Sequence, residues 1–380
     1  MRRSWPITFP ARKLPSESGK DVFDLDSFDY ELPEFLIAQN PVEVRDRSRL
    51  MRLFRESGRT EHWVFSDLPR LLQRGDLLVL NDTRVFQARL RGKKEGTRSS
   101  VEVFCLSPVA PKGEGHFGSR WKALVRPGRR LPPGARVELF SGSGGTASSE
   151  PAIVTVGERM EDGVRIVFLP EGISSDELFA RYGELPLPPY IKNSVAPFDR
   201  YQTVYSNGSH NRSVAAPTAG LHFTDELLER LAAMGVGHVF ITLDVGVGTF
   251  RPVKVRDIRD HRMHSERCEI SEEAAARINV ARRSGGRIVA VGTTAVRTLE
   301  SMAEESGTIR PGATETEIFI RPGYRFRAID ALITNFHLPR STLLMLVSAF
   351  AGHDVVMRAY REAVAERYRF FSFGDAMLIG

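Results

Sequence analysis

Residues 213–250 read SVAAPTAGLHFTDELLERLAAMGVGHVFITLDVGVGTF, and their order of loop, helix, strand and glycine loop decides the class of fold. Pro217 and Gly220 punctuate the loop. Thr224 is a good N-cap, and Asp225 and Glu226 put negative charge in the first helical turn, where the dipole favours it. The spacing of Leu227, Leu228 and Leu231 predicts a helix from about Asp225, stopped by Gly235, which tolerates a left-handed backbone. The apolar, β-branched run 238–245 then predicts a buried strand with Asp244 near its end. In α/β proteins chemistry sits at the C-terminal ends of strands, so Asp244 is a candidate site residue, although an acid there equally caps neighbouring backbone. His222, just before the helix, is placed to face the same cleft. Gly246 and Gly248 lack the third glycine and the following helix of a dinucleotide loop, so that reading fails.

Outward from this stretch, 380 residues at 42% hydrophobic can bury a sizeable core and fill two domains. A net charge of +6 permits a polyanionic partner without requiring one. Cys105 and Cys268 are too few for a disulfide framework, a four-thiolate zinc site or a three-cysteine radical cluster, which points to a reducing cytoplasm. The longest apolar run, 343–351, is too short to span a bilayer, so no membrane segment is expected. Residues 1–24 read as a disordered basic leader, in which Pro6, Pro10 and Pro15 argue against an amphipathic transit helix.

Short alternating runs at 101–106, 121–125, 136–140, 152–156 and 164–169 are separated by Gly, Pro and Ser clusters. They predict a small all-β barrel or sandwich at 88–172, inserted between the two parts of an α/β domain at 25–87 and 173–380. In that domain Pro33 suits a short helix, and 76–80 reads as a strand ending in Asn81, Asp82, Thr83 and Arg84. Helix 271–283 leads to strand 287–291. Gly292, Thr293 and Thr294 then make an anion-friendly helix start, with Arg297 one turn in. Two more strands are expected at 318–320 and 332–334, the second ending in Asn335, Phe336 and His337. Helices follow at 341–351 and across 360–368. The basic run Arg45, Arg47 and Arg49 is either a phosphate contact or a self-paired turn. Lys192, Arg200, Tyr201, Tyr205, His210 and Arg212 interleave cations with aromatics, as single-strand binders do and as ordinary surface loops also do.

The segments FDYELPEFLIAQNPVEVRDRSRLM (28–51), GDLLVLNDTRVFQARL (75–90), AAPTAGLHFT (215–224), GVGTFRPV (246–253), MHSE (263–266), AVGTTAVRTLES (290–301), TNFHLPRSTLLMLVSAFAG (334–352) and RFFSFGDAMLI (369–379) follow one another along the chain. Together they resemble the S-adenosylmethionine:tRNA ribosyltransferase-isomerase family of queuosine biosynthesis, over residues 28–379. Asp244 stands where many members carry a His, and Arg321 where a Tyr is common. The resemblance implies a barrel-like α/β domain interrupted by a small β-barrel. It also implies transfer of the ribosyl group of S-adenosylmethionine to 7-aminomethyl-7-deazaguanine (preQ1) in the wobble position of a tRNA, giving epoxyqueuosine-tRNA, adenine and methionine. S-adenosylmethionine is then a consumed substrate. No cofactor and no metal are implied, and a monomer is expected.

Such a site must hold a sulfonium cation, an adenine and a carboxylate, and must move protons at C5′ beside the sulfur. His222 and His337 are expected as the acid-base pair, Asp244 to stabilise the sulfonium or orient a partner, and Arg297 as a ligand of the methionine carboxylate or a phosphate. Thr293, Thr294, Gly246, Gly248 and Thr249, with Pro217, Thr218, Gly220 and Asn335, are expected to cradle the donor. Asn81 and Arg84 are expected to meet the acceptor base or ribose, and Arg45, Arg47, Arg49, Lys192 and Arg200 to contact RNA phosphates. Two rival classes stand beside this one. A metal-dependent hydrolase would use His261, His264 and Glu266, and a non-catalytic tRNA-binding module would leave the polar strand ends unexplained. A methyltransferase is disfavoured because no glycine-rich loop follows the first strand.

Overall fold

The computed structural model describes residues 21–109, 120–140, 152–246, 248 and 253–380. Four strands, Gly237–Leu243, Leu77–Asn81, Ile288–Val291 and Ala331–Asn335, run parallel and side by side. Their residues alternate between two apolar layers: Leu77, Val79, Ile288, Ala290 and Leu332 face one, while Leu78, Leu80, Val289, Val291 and Ile333 face the other. A sheet buried on both faces needs continuous apolar runs, and that is why Leu77–Asn81, Ile288–Val291 and Ala331–Asn335 show no polar alternation. Glu266–Ile270 and Gly312–Thr316 extend the sheet on one side, and Ala376–Ile379, Arg49–Leu53 and Thr60–Val64 on the other. Nine strands result among the described residues.

Helix Asp225–Ala233 covers one face. The Thr224 side chain accepts from the Leu227 N–H, Leu227, Leu228 and Leu231 are buried, and Gly235 takes the expected positive φ of 81°. Helices Glu272–Arg283, Thr293–Met302, Thr342–Ala351 and His353–Ala365 contribute to the opposite layer. The last two meet at a 116° bend, where Gly352 has φ 91°. Three local expectations differ. The helix after Pro33 is a single 3-10 turn, Glu34–Leu36, because Ile37 is drawn into an isolated bridge with Phe370. The segment 318–320 is irregular, and the edge strand lies instead at Gly312–Thr316. The last helix stops at Ala365, so Tyr368 lies beyond it.

The inserted unit is a closed barrel. Arg89–Lys94, Ser100–Pro108, Arg120–Arg126, Val164–Phe168, Ile153–Arg159 and Arg136–Leu139 pair antiparallel in that order, and the last returns to the first. At the closure a Cβ on Gly92 would lie 2.2 Å from the Glu138 carbonyl oxygen, so only glycine fits. The barrel's packing runs past the expected limit at 172. Helix Ser175–Tyr182 places Leu178, Phe179 and Tyr182 in the barrel core, and Gly183–Glu184 pairs with the first barrel strand. Turn spacing does not report a helix that plugs a barrel. The folded chain also begins before residue 25. Asp24 caps the turn Leu25–Phe28, and the Phe23 carbonyl accepts from the Ile258 N–H at 2.9 Å. Residues 1–20 of the expected leader lie outside the described residues.

Candidate active site

The C-terminal ends of the four parallel strands share one rim, and beside it lies a cavity of about 670 Å³. Its walls bring together Ala216, Pro217 and Thr218 from the loop before the Asp225–Ala233 helix. Gly292, Thr293 and Thr294 join from a helix start, and Thr334, Asn335 and His337 from the last parallel strand. Tyr190, Tyr201, Arg340, Phe371 and Ser372 add to the polar and aromatic lining. Tyr190 and Phe371 stand with ring centroids 4.2 Å apart, and the Tyr190 hydroxyl is 2.6 Å from Ser372 Oγ. Thr293 and Thr294 begin a ten-residue helix with no side-chain cap, and Thr294 Oγ1 is buried without a partner among the described residues. This end of the cavity offers free N–H donors and the positive end of a dipole.

The two histidines are differently placed. His337 lines the cavity. Its Nε2 is 2.8 Å from Thr334 Oγ1, its N–H donates to the Tyr360 hydroxyl at 3.1 Å, and its carbonyl accepts from the Tyr30 hydroxyl. His222 sits one layer back, outside the cavity lining. Asn335 Nδ2 donates to the Phe371 carbonyl at 3.2 Å, which fixes the amide's orientation, and the same nitrogen is 3.2 Å from His222 Nε2. An amide nitrogen only donates, so His222 Nε2 accepts and the proton is on Nδ1, 2.7 Å from Ser48 Oγ. The Asn335 oxygen accepts from Thr218 Oγ1 at 2.9 Å. Ser48, His222, Asn335 and Thr218 thus form one chain that starts behind the wall and ends in it, with the His222 ring stacked on Phe65. Burial pushes His337 down to about 3. Burial first, then Arg369 and Arg45, do the same to His222. Both imidazoles are neutral near pH 7.

A family model described as queuosine biosynthesis protein matches residues 25–379. This chain belongs to that family. The S-adenosylmethionine:tRNA ribosyltransferase-isomerases of Symbiobacterium thermophilum and Moorella thermoacetica are 56% and 53% identical to it, over 93% of this chain and 99% of each relative. A solved S-adenosylmethionine tRNA ribosyltransferase from Thermotoga maritima is similar at 38% identity and a TM-score of 0.51, covering 93% of this chain and 100% of that one. The order of motifs from 28 to 379 and the inserted barrel agree with this membership.

Within this queuosine-family chain the other expected site residues divide sharply. Asn81 and Asp244 stand at strand ends but outside the cavity wall. Asn81 is fully buried and bridges strands, donating to the Leu243 carbonyl and accepting from the Leu243 and Thr83 N–H groups. Asp244 accepts from Thr83 Oγ1 at 3.3 Å and lies 3.9 Å from an Arg267 nitrogen, while burial holds its carboxyl above the usual range. Arg84 is in the short strand that pairs with Asn211–Ser213. Arg297 is buried and ion-paired with Glu266, whose other oxygen accepts from the Gly246 N–H at 2.8 Å. Glu266 is thereby a strut for the Gly246 loop. The metal reading, which needs Glu266 beside His261 and His264, loses its carboxylate. Among the described residues no group of three His, Cys, Asp or Glu side chains gathers as a metal cluster.

The glycines act sterically. A Cβ on Gly220 would meet the Tyr205 hydroxyl at 2.0 Å, and one on Gly248 the His264 ring at 2.5 Å. Thr249 lies outside the described residues. Of the expected phosphate contacts, Arg45 donates to the Leu221 and Asp199 carbonyls and Arg200 to those of Val42 and Glu43. Arg49 donates to the Glu366 carbonyl and lies over Tyr368, and Lys192 pairs with Glu34. Arg47 is exposed at the end of the turn Arg45–Arg47. Sequence reasoning missed Tyr190, Phe371 and Arg340 as wall residues, although Phe371 and Arg340 stand in motifs quoted above. It also read Tyr201 as a surface ring, whereas Tyr201 is 1% exposed and lines the cavity.

Proposed function

We propose that this chain transfers and isomerises the ribosyl group of S-adenosylmethionine onto the 7-aminomethyl group of 7-deazaguanine in the wobble position of a tRNA, releasing adenine and methionine and leaving epoxyqueuosine-tRNA. One observation carries the reading: a family member has a cavity of about 670 Å³ at its parallel strand ends. Small-molecule sites occupy about 300–1,000 Å³, so this one suits a nucleoside-sized donor. The start of helix Thr293–Met302 takes the methionine carboxylate, since unpaired N–H groups and the dipole favour an anion there. Tyr190 and Phe371 give the sulfonium and adenine aromatic surfaces.

In this reading His337 moves the protons. It is neutral, so it can accept a proton from C5′, where the adjacent sulfonium makes the C–H more acidic. Once protonated in a buried site it is a strong acid and helps adenine depart. His222 holds Asn335, and through it the cavity wall. Glu266 and Arg297 hold the loop behind Val245, which also lines the cavity. Asp244 and Arg84 belong to the neighbouring acceptor side, and Asn81 braces the strands behind it. No resident cofactor or metal enters this scheme. Residues of one chain suffice to wall the cavity, and a monomer is the working unit this reading assumes. A tRNA substrate puts the proposed reaction in the cytoplasm. Among the described residues no single helix is long and apolar enough to cross a membrane.

The test is incubation with S-adenosylmethionine and tRNA bearing the aminomethyl base, followed by mass spectrometry of the nucleosides and detection of free adenine. Epoxyqueuosine with adenine in equal amounts is expected. A reaction that consumes the donor with no adenine contradicts the reading.

A further inference from the structure

The inserted barrel treats its cations in two ways. On the strand Arg89–Lys94, Arg89 faces Glu102 at 3.6 Å, Arg91 pairs with Glu184 at 2.8 Å, and Lys93 with Glu138 at 2.8 Å. Two strands away the pattern reverses. Residues 120–136, RWKALVRPGRRLPPGAR, carry six cations and no acid. Lys122, Arg126, Arg129 and Arg130 are all exposed, and none has an ion pair among the described residues; in this run only Arg136 is paired, to Glu95.

Local structure gathers these charges on one side. Along Arg120–Arg126, Trp121 and Ala123 point into the barrel core, so Arg120, Lys122, Leu124 and Arg126 form the outward row, spaced about 7 Å apart. The strand then runs into the turn Gly128–Arg130, which adds Arg129 and Arg130 at its end. On the adjacent strand Phe168 is opposite Arg120 in register, is 40% exposed, and has the Arg120 guanidinium 5.9 Å from its ring centre. The nearest strand on the other side offers Glu102 opposite Arg126, and that carboxylate is already engaged by Arg89. The hairpin before Val164 holds Glu158 and Glu161, which make no ion pair to this run among the described residues.

Unpaired guanidinium forks beside an exposed aromatic ring suit a phosphate backbone with accessible bases. We infer that the outer face of strand Arg120–Arg126 with the turn Gly128–Arg130 grips the phosphate backbone of the RNA whose modified base enters the cavity. This inference rests on the proposed tRNA substrate and moves the main electrostatic contact away from Arg45 and Arg200, whose forks are tied to main-chain carbonyls. The insertion thereby supplies a second, sequence-independent hold on the RNA at a distance from the chemistry.

The experiment compares the intact protein with the fourfold variant Lys122→Gln/Arg126→Gln/Arg129→Gln/Arg130→Gln, measuring tRNA affinity from low to high salt and S-adenosylmethionine binding by calorimetry. Each lost phosphate contact removes about 0.7–0.9 from the slope of log affinity against log salt, so the slope falls by about 3 and affinity at moderate salt by at least tenfold. S-adenosylmethionine binding stays unchanged, which excludes misfolding. The control Arg91→Gln/Lys93→Gln, on the neutralised strand, keeps the original slope. An unaltered slope in the fourfold variant overturns the inference while leaving the tRNA reading intact. An equal loss in the control overturns the assignment to this face. Wild-type protein that does not bind tRNA overturns the substrate reading as well. Loss of phosphatidylserine-vesicle binding with tRNA binding retained assigns the face to a membrane instead.

Discussion

At the scale of single residues, the two buried histidines occupy different positions relative to the cavity. His337 lines the cavity and His222 does not, so His337→Gln is expected to lower kcat by about 10²–10⁴ with S-adenosylmethionine binding little changed. His222→Gln is expected to act chiefly through KM, by loosening Asn335. Steady-state kinetics with saturating tRNA checks both, and near-normal turnover in His337→Gln contradicts the assignment. The same residues couple stability to pH. Both folded values are depressed from about 6.5 to about 3, so below pH 6.5 the unfolded chain binds protons that the folded chain does not. Their contribution is fully present above pH 6.5 and is lost as pH falls, by about 3 kcal/mol for the pair between pH 7.5 and 5.5. Urea unfolding at the two pH values measures it, and the double variant His222→Gln/His337→Gln is expected to flatten the difference. The sequence put His337 at a polar strand end and His222 just before a helix, facing the cleft at another strand end. It could not say which one stands behind Asn335, because that depends on Ser48, far from both along the chain.

At the scale of elements, the helix Thr293–Met302 does two things at once. Its start faces the cavity, and one turn in, Arg297 reaches away to Glu266 on the neighbouring strand. Both side chains of that pair are about 5% exposed, so removing one partner leaves a charge in a dry site. Arg297→Met is expected to destabilise the fold by about 3–5 kcal/mol. A loss below about 1 kcal/mol in chemical denaturation would instead mean that Arg297 is held mainly for a ligand. Helix caps, glycine stops and buried strands were legible because they follow from local chemistry, as Thr224, Ser271 and Gly235 demonstrate. The Arg297–Glu266 pair was not, since a strand-end basic residue reads as a ligand group until its partner is in view. Helix Ser175–Tyr182 escaped as well: its apolar residues match any amphipathic helix, and only the barrel end shows what they fill.

For the whole molecule, the architecture divides labour between a rim and an outrigger. Parallel strands place a cavity at their ends, and an inserted barrel carries a charged face of its own. The net charge of +6 distributes unevenly, with one barrel strand neutralised and another bare, so composition alone permitted a polyanionic partner but neither required nor located one. The central claim is that the ribosyl carbons of S-adenosylmethionine, and not its methyl carbon, reach the RNA. The measurement that tests it most directly supplies S-adenosylmethionine with distinguishable isotopic labels in the ribose and the methyl group, together with tRNA bearing the aminomethyl base. The account predicts the ribose label in the tRNA nucleoside and the methyl label in released methionine. Methyl label in the tRNA, with S-adenosylhomocysteine as the second product, would contradict it.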